Sequence, residues 1–222
     1  IYELHVRDTT IDESSGVENK GKYLGLTEKG TKTASGKATG LDYIKELGIT
    51  HVQIMPMYDY ATVDESKLNT PQFNWGYDPK NYNAPEGSYS TDPYNGEVRV
   101  EEAKEMIQAF HEEGIGVIMD WVPAHFPKDR FGLYEFDGKP LYEYQGADRM
   151  EHAGWGTRRF DVGRNEVQSF LISSASYWLR EFHIDALRVD AVASMIYASL
   201  AREMRWLSAT GDITEPTVRQ LK

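Results

Sequence analysis

Link length constrains this chain more than any other feature: every helix runs almost directly into the next strand, while every strand is followed by a long excursion. Apolar periodicity predicts a strand near Tyr2–Val6 and an amphipathic helix near Leu41–Leu47 that stops at Gly48. It then predicts a strand over His51–Met55 ending at Pro56, a helix over Val100–Glu113 stopped by Gly114, and a buried-type run at Val117–Met119. A helix over Glu166–Phe182, a strand over Ile184–Val189, a helix near Met195–Leu207 and a fifth strand over Asp212–Glu215 complete the pattern. The helix-to-strand links reduce to the neighbourhoods of Gly48, Gly114 and His183, whereas the strand-to-helix links run from Asp8 to Gly40, Met57 to Arg99 and Asp120 to Asn165.

Strand and helix in alternation form right-handed βαβ units, so the strands are parallel and all long loops emerge on one face. A TIM barrel carries its functional loops in this way at the C-terminal ends of the strands, and a doubly wound sheet is the competing architecture. The expected fold is therefore an α/β partial TIM (β/α)8 barrel holding about the first five strands and four helices. Residues 1–222 would form one incomplete catalytic-type domain. A full barrel has about eight strands, so the outer strands would be unpaired edges that call for a complementary barrel half or a homo-oligomer.

Composition removes several function classes. With 24 Lys and Arg against 35 Asp and Glu, the formal net charge of −11 disfavours nucleic acid and anionic membrane surfaces as partners. The absence of cysteine excludes a disulfide scaffold and thiolate chemistry. No apolar run reaches the ~18 residues of a membrane span, and the opening IYELHVRD lacks signal-peptide features. The chain reads as soluble, with its compartment open and the cytoplasm slightly favoured. Its opening without methionine reads as an excerpt of something longer.

The strongest local constellation is ALRVDAV at 186–192. Side chains two apart on a strand share a face, so Arg188 and Asp190 lie together. A cation beside a carboxylate keeps it ionised and oriented, as a nucleophile at an anomeric carbon requires. An ordinary ion pair closing a strand end accounts for the same spacing. Asp120 ends the preceding strand run in GVIMDWVPAHF, with His125 five residues on in the loop. Taken alone, an Asp after a strand is more often a loop anchor and a lone His more often a structural residue than part of a site; two acidic strand ends on one face are what point to a site.

DWVPAH at 120–125 and LRVDAVASM at 187–195 resemble the first and second motifs of the α-amylase-type glycoside hydrolase family, family 13. The resemblance implies that Asp190 is the nucleophile, Arg188 its neighbour, His125 a contact of the sugar beside the cleaved bond and Asp120 a supporting residue. Glu215, in GDITEPT, falls where that family places its acid/base, and an exposed tail residue is the plainer reading of it. The strings IYELHVRD and NWGYDPKNYNAPEGSYS in residues 1–119 resemble type I pullulanase, a debranching hydrolase. DWVPAHFPKD, GLYEFDG, GWGTRRFDVGRNEV and FHIDALRVDAVASM in residues 120–197 resemble glycogen branching enzyme instead, so a junction of the two patterns falls near 119–120. Either resemblance makes Tyr77 a platform for the glucose ring at the cleavage point.

The resemblance implies an α-glucan partner of the starch or glycogen type and retaining double displacement. Debranching of α-1,6 bonds is favoured because the pullulanase-like part includes the NWGYDP loop; α-1,4-glucan branching and an inactive half-barrel are the alternatives. Ala124 stands where many relatives place a calcium-holding Asn, and it has no oxygen to offer, so no metal site is carried over and no cofactor is implied. The family's fourth motif has no counterpart. Gly114 and Gly116 precede a strand rather than a helix, so the dinucleotide fingerprint fails, and the histidines show no metal-ligand spacing.

Overall fold

The structure is a computed structural model that describes residues 1–147 and 149–196. The chain divides into two units, Ile1–Asp190 and Ala191–Lys222. The described part of the second unit contains only one short helix, α4 (Val192–Ile196).

Four parallel strands build the main sheet of the first unit: β1 (Tyr2–Leu4), β2 (His51–Ile54), β5 (Gly116–Trp121) and β9 (Ala186–Val189). Their spatial order, β1-β2-β5-β9, follows their order in the chain. A doubly wound sheet reverses its strand order at a switch point, whereas a barrel adds each strand beside the last. The sheet is thus the opening part of a (β/α) barrel. It is open rather than closed, and among the described residues β1 and β9 are its edges.

The first strand is shorter than the predicted Tyr2–Val6 because the chain turns at once. The Leu4 carbonyl still accepts from Met55 N at 2.9 Å, but the His5 carbonyl accepts from Thr9 N at 3.1 Å and from the Thr9 hydroxyl at 2.7 Å. Helix α1 spans Gly40–Glu46, α2 Gly96–Glu112 and α3 Asn165–Glu181. The second starts four residues before the predicted Val100 because the Asn95 side chain caps it, accepting from Glu97 N at 3.1 Å. The predicted fourth helix is described only over Val192–Ile196, and the predicted fifth strand, Asp212–Glu215, lies outside the described residues.

The core sits between sheet and helices. Val52, Ile54, Val117 and Met119 of the strands, Ile44 of α1, Met106 and Phe110 of α2, and Trp178 of α3 are fully buried. Trp178 also satisfies its indole N–H, donating to Tyr82 O at 2.8 Å, so the ring adds apolar area without leaving a buried donor unpaired. Removing such a side chain costs about 3–5 kcal/mol. Among the described residues no helix is long and apolar enough to cross a membrane.

The two longest loops carry strands of their own. The second excursion holds the antiparallel pair β3 (Tyr58–Tyr60) and β4 (Pro79–Pro85), and the third holds β6 (His125–Phe126), β7 (Glu151–His152) and β8 (Thr157–Arg159) in the order β6-β8-β7.

Candidate functional site

Register brings the candidate residues together. Strands β5 and β9 pair with Asp120 opposite Arg188 and Trp121 opposite Val189, and Asp190 N donates to Trp121 O at 2.8 Å. Asp120 and Arg188 are therefore cross-strand neighbours on one face, and the two-residue period of β9 returns Asp190 to that face. Arg188 Nη1 donates to Asp120 Oδ1 and Oδ2, both at 2.9 Å, and to Asp190 Oδ1 at 2.6 Å.

Asp120 is fully buried. Burial raises its pKa; the Tyr77 hydroxyl, donating to Oδ2 at 2.7 Å, and Arg188 oppose that rise. Arg188 feels the converse: partial burial opposes its charge, but the two carboxylates outweigh it and hold the guanidinium above its ordinary pKa. Asp190 has a side chain 18% exposed and uses one oxygen on Arg188. Its second oxygen accepts no hydrogen bond among the described residues.

Tyr77 reaches Asp120 because its loop is held at several points. Asn74 accepts from Gly76 N at 2.8 Å and donates to Asp78 at 2.7 Å, and the Asn74 carbonyl lies 2.9 Å from His5 Nε2, just past the end of β1. Gly76 has φ 89°, and a Cβ there would sit 2.7 Å from the Pro56 carbonyl oxygen. The loop crosses the end of β2 too closely for any other residue. Burial raises the Tyr77 pKa, and donation to Asp120 raises it further, so the phenol stays protonated and neutral.

His125 opens β6, and the Tyr82 hydroxyl lies 2.8 Å from its carbonyl oxygen. Its ring is buried, and its Nδ1 has no hydrogen-bond partner among the described residues. Burial depresses its pKa to about 4; Asp190 acts against that shift and His152 with it. The imidazole is thus neutral at neutral pH and close enough to feel the Asp190 carboxylate. The structure brings Tyr77, Asp120, Arg188 and Asp190 into one hydrogen-bonded chain with His125 beside it. Glu215 lies outside the described residues.

Sequence reasoning missed the aromatic tip over His125. Trp155 lies in the turn between β7 and β8, its ring stacked on His152 at 3.6 Å and 4.9 Å from the His125 ring centre. The signal was the GWGT string, whose Gly156 takes the positive φ of a tight turn. A carboxylate group was also missed: ligand atoms of Asp59, Glu65 and Glu86 lie within 4.8 Å of one another. Arg99 supplies the positive charge there, 2.5 Å from Glu65 Oε2, and burial lifts the Glu86 pKa to about 7.

Comparisons with known proteins show what the chain as a whole is similar to. Residues 19–136 match the family model of the α-amylase catalytic domain. The chain is 44% identical over 186 residues to a 1,4-alpha-glucan branching enzyme GlgB of Corynebacterium diphtheriae, covering 83% of this chain and 23% of that protein. The corresponding enzyme of Nitrosospira multiformis is 48% identical over 162 residues, covering 73% and 19%. Among solved structures, apo pullulanase from Paenibacillus barengoltzii superposes with a TM-score of 0.79 at 47% identity, covering 85% of this chain and 29% of that one. Pullulanase from Anoxybacillus sp. LM18-11 complexed with maltotriose gives 0.77 at 42% identity, covering 85% and 27%. The chain spans roughly a quarter of the length of these relatives.

Proposed function

We propose, from the premise that this chain belongs to the α-amylase catalytic-domain family, that it supplies the nucleophile side of an α-glucan-processing site. The observation that carries the proposal is the single Arg188 nitrogen shared by Asp120 and Asp190 at the ends of adjacent parallel strands. Asp190 attacks the anomeric carbon while its Oδ1 stays fixed by Arg188, and the glycosidic bond to the leaving oxygen breaks. Glu215 gives that oxygen its proton and then takes one from the acceptor, whose oxygen displaces Asp190 with net retention. Tyr77 presents its ring to the glucose at the cleavage point, neutral His125 donates to a hydroxyl of that unit, and Asp120 holds Arg188 and Tyr77 in place.

Water as acceptor gives hydrolysis and a sugar hydroxyl gives branching. Hydrolysis of α-1,6 bonds is the first reading, supported by the pullulanase-like NWGYDP loop and its fixed Tyr77. Branching is the second, supported by 44% identity to a branching enzyme over most of the chain. The unit is read as one barrel-type catalytic domain across 1–222, with the two patterns meeting near 119–120. Its partners are an α-glucan and a complementary barrel half or second copy.

The test uses this chain assembled with a complementary barrel half, incubated with pullulan and with amylose. New reducing ends from pullulan support hydrolysis, and new branch points in amylose support branching. Turnover that survives Asp190→Asn overturns the mechanism, as does a separation of the Asp190 and Glu215 carboxyl groups far from the ~5–5.5 Å of retaining enzymes.

A further inference from the structure

A buried neutral imidazole must satisfy two nitrogens of opposite character, one an N–H and the other a lone pair. His5, buried just beyond the end of β1, does so with backbone groups on both sides of its ring. Asp8 N donates to Nδ1 at 3.3 Å, so Nδ1 carries the lone pair and the ring proton sits on Nε2. The Asn74 carbonyl, which can only accept, lies 2.9 Å from Nε2, as that tautomer requires. The Asp8 carboxylate does not compete for Nδ1: its Oδ1 stands 3.7 Å away, beyond hydrogen-bond reach, and accepts from Arg7 Nη1 at 2.9 Å.

Two aromatic neighbours fix the orientation of the ring. Tyr89 meets it edge-on, with ring centres 5.6 Å apart at 89°, and the Tyr89 hydroxyl oxygen, 3.0 Å from Nε2, is a second acceptor for the same N–H. Phe73 lies against the ring at 5.8 Å and 31°. Asn74 then carries the tether forward, because its side chain brackets Tyr77: Oδ1 accepts from Gly76 N at 2.8 Å and Nδ2 donates to Asp78 Oδ1 at 2.7 Å. Between those two points Tyr77 donates to Asp120 Oδ2 at 2.7 Å, and Asp120 accepts from Arg188. A continuous series of contacts thus runs from the turn after β1 to the guanidinium that holds Asp190.

We propose that His5 is a positioning residue of the α-glucan site, its Nε2–H setting, through Asn74, where the Tyr77 ring stands relative to Asp120. The inference rests on the α-glucan reading, in which Tyr77 is the platform for the glucose ring at the cleavage point. Loss of the Nε2 donor leaves the Asn74 carbonyl to seek water, which draws Asn74 and the Tyr77 it brackets away from the end of β1. A platform touches the sugar in the ground state as it does in the transition state, so its displacement raises KM more than it lowers kcat. Two amides separate the tether from the bulk of the side chain. Glutamine places its nitrogen near the Nε2 position and asparagine near Nδ1, so only glutamine can still reach the Asn74 carbonyl.

His5→Gln and His5→Asn, in this chain assembled with a complementary barrel half, test it on maltooligosaccharide turnover. The asparagine variant should raise KM up to about 10-fold with kcat within about 2-fold of the wild type, and the glutamine variant should keep KM within about 2-fold. A histidine that only fills space would make the two amides alike, so equal KM values in the two variants, or a loss confined to kcat, overturn the proposal. Two NMR readings on the chain itself need no turnover. Wild-type His5 should show the nitrogen shifts of the Nε2–H tautomer, a reading that stands even where a variant misfolds, and the Tyr77 ring signals should move in His5→Asn but not in His5→Gln. The Nδ1–H tautomer in the wild type, or Tyr77 signals unmoved in His5→Asn, overturns the proposal. An assembled wild type without turnover counts against the α-glucan reading alone, and these signals still decide the part given to His5.

Discussion

Arg188 places a single nitrogen, Nη1, 2.9 Å from both carboxylate oxygens of Asp120. That carboxylate is fully buried, so the guanidinium and the Tyr77 hydroxyl are what keep its charge from standing alone in the interior. Arg188→Ala should therefore destabilise the fold by about 1–3 kcal/mol, less than the cost of breaking a fully buried pair because the Arg188 side chain is 41% exposed. Arg188→Lys should recover only part, since an ammonium is a point donor without the planar fork. Urea unfolding of the three proteins measures this, and an unchanged midpoint in the alanine variant would remove the structural half of the account.

His125 and Glu86 make stability depend on pH in opposite senses. His125 sits at about 4 in the fold, below its ordinary 6.5. The unfolded chain thus binds more protons between those values, and stability from this group is lost as pH falls through that window. Glu86 sits at about 7, above its ordinary 4.5, so its contribution is full below 4.5 and lost as pH rises toward 7. Between pH 4.5 and 6.5 the slopes cancel in part. His125→Gln should expose the Glu86 slope, with stability falling as pH rises, and Glu86→Gln should expose the opposite one. Unfolding free energies across pH 4–8 decide it, and parallel profiles for both variants would refute the assignment.

Gly76→Ala tests the loop that carries Tyr77. Its φ of 89° and the Pro56 carbonyl leave no room for a methyl group, so the loop must lift from β2 and draw the Tyr77 hydroxyl away from Asp120. The expected cost exceeds about 1 kcal/mol. Maltooligosaccharide affinity should fall in the same variant if Tyr77 is the sugar platform. A loop that keeps its stability and affinity with alanine would show that the close approach is not a constraint.

The parts of this architecture that sequence made legible are those governed by short-range periods. The spacing of Arg188 and Asp190 predicts their pairing because a strand repeats every two residues, and the links at Gly48, Gly114 and His183 predict parallel strands because each preceding helix has already carried the chain back across the sheet. The bond from Arg188 to Asp120 spans 68 positions and that from Tyr77 to Asp120 spans 43; both depend on inter-strand register and a loop path that no local pattern encodes. The small sheets inside the excursions escaped for the same reason. Strand β3 is only three residues long, and β4, bounded by Pro79 and Pro85, buries every third residue rather than every second, so neither segment shows a strand period.

The aromatic tip over His125 yields the last prediction. His125 is 5% exposed although it opens a two-residue strand in a loop, and the ring beside it is Trp155, itself 51% exposed and held in place by its stack on His152. The Trp155 backbone N–H donates to the His152 carbonyl at 2.9 Å, so the turn geometry and the stack reinforce each other. Burial is the main cause of the low His125 pKa, and Trp155 supplies part of that burial. Trp155→Ala should admit water to the imidazole and move its pKa upward from about 4 toward the ordinary 6.5, followed by NMR titration of the ring protons. Trp155→Phe should restore most of the depression, because a ring of similar thickness can occupy the stack. A His125 titration identical in the wild type and the alanine variant would mean that the tip does not shield the site, and the neutral donor role given to His125 would then have to rest on other neighbours.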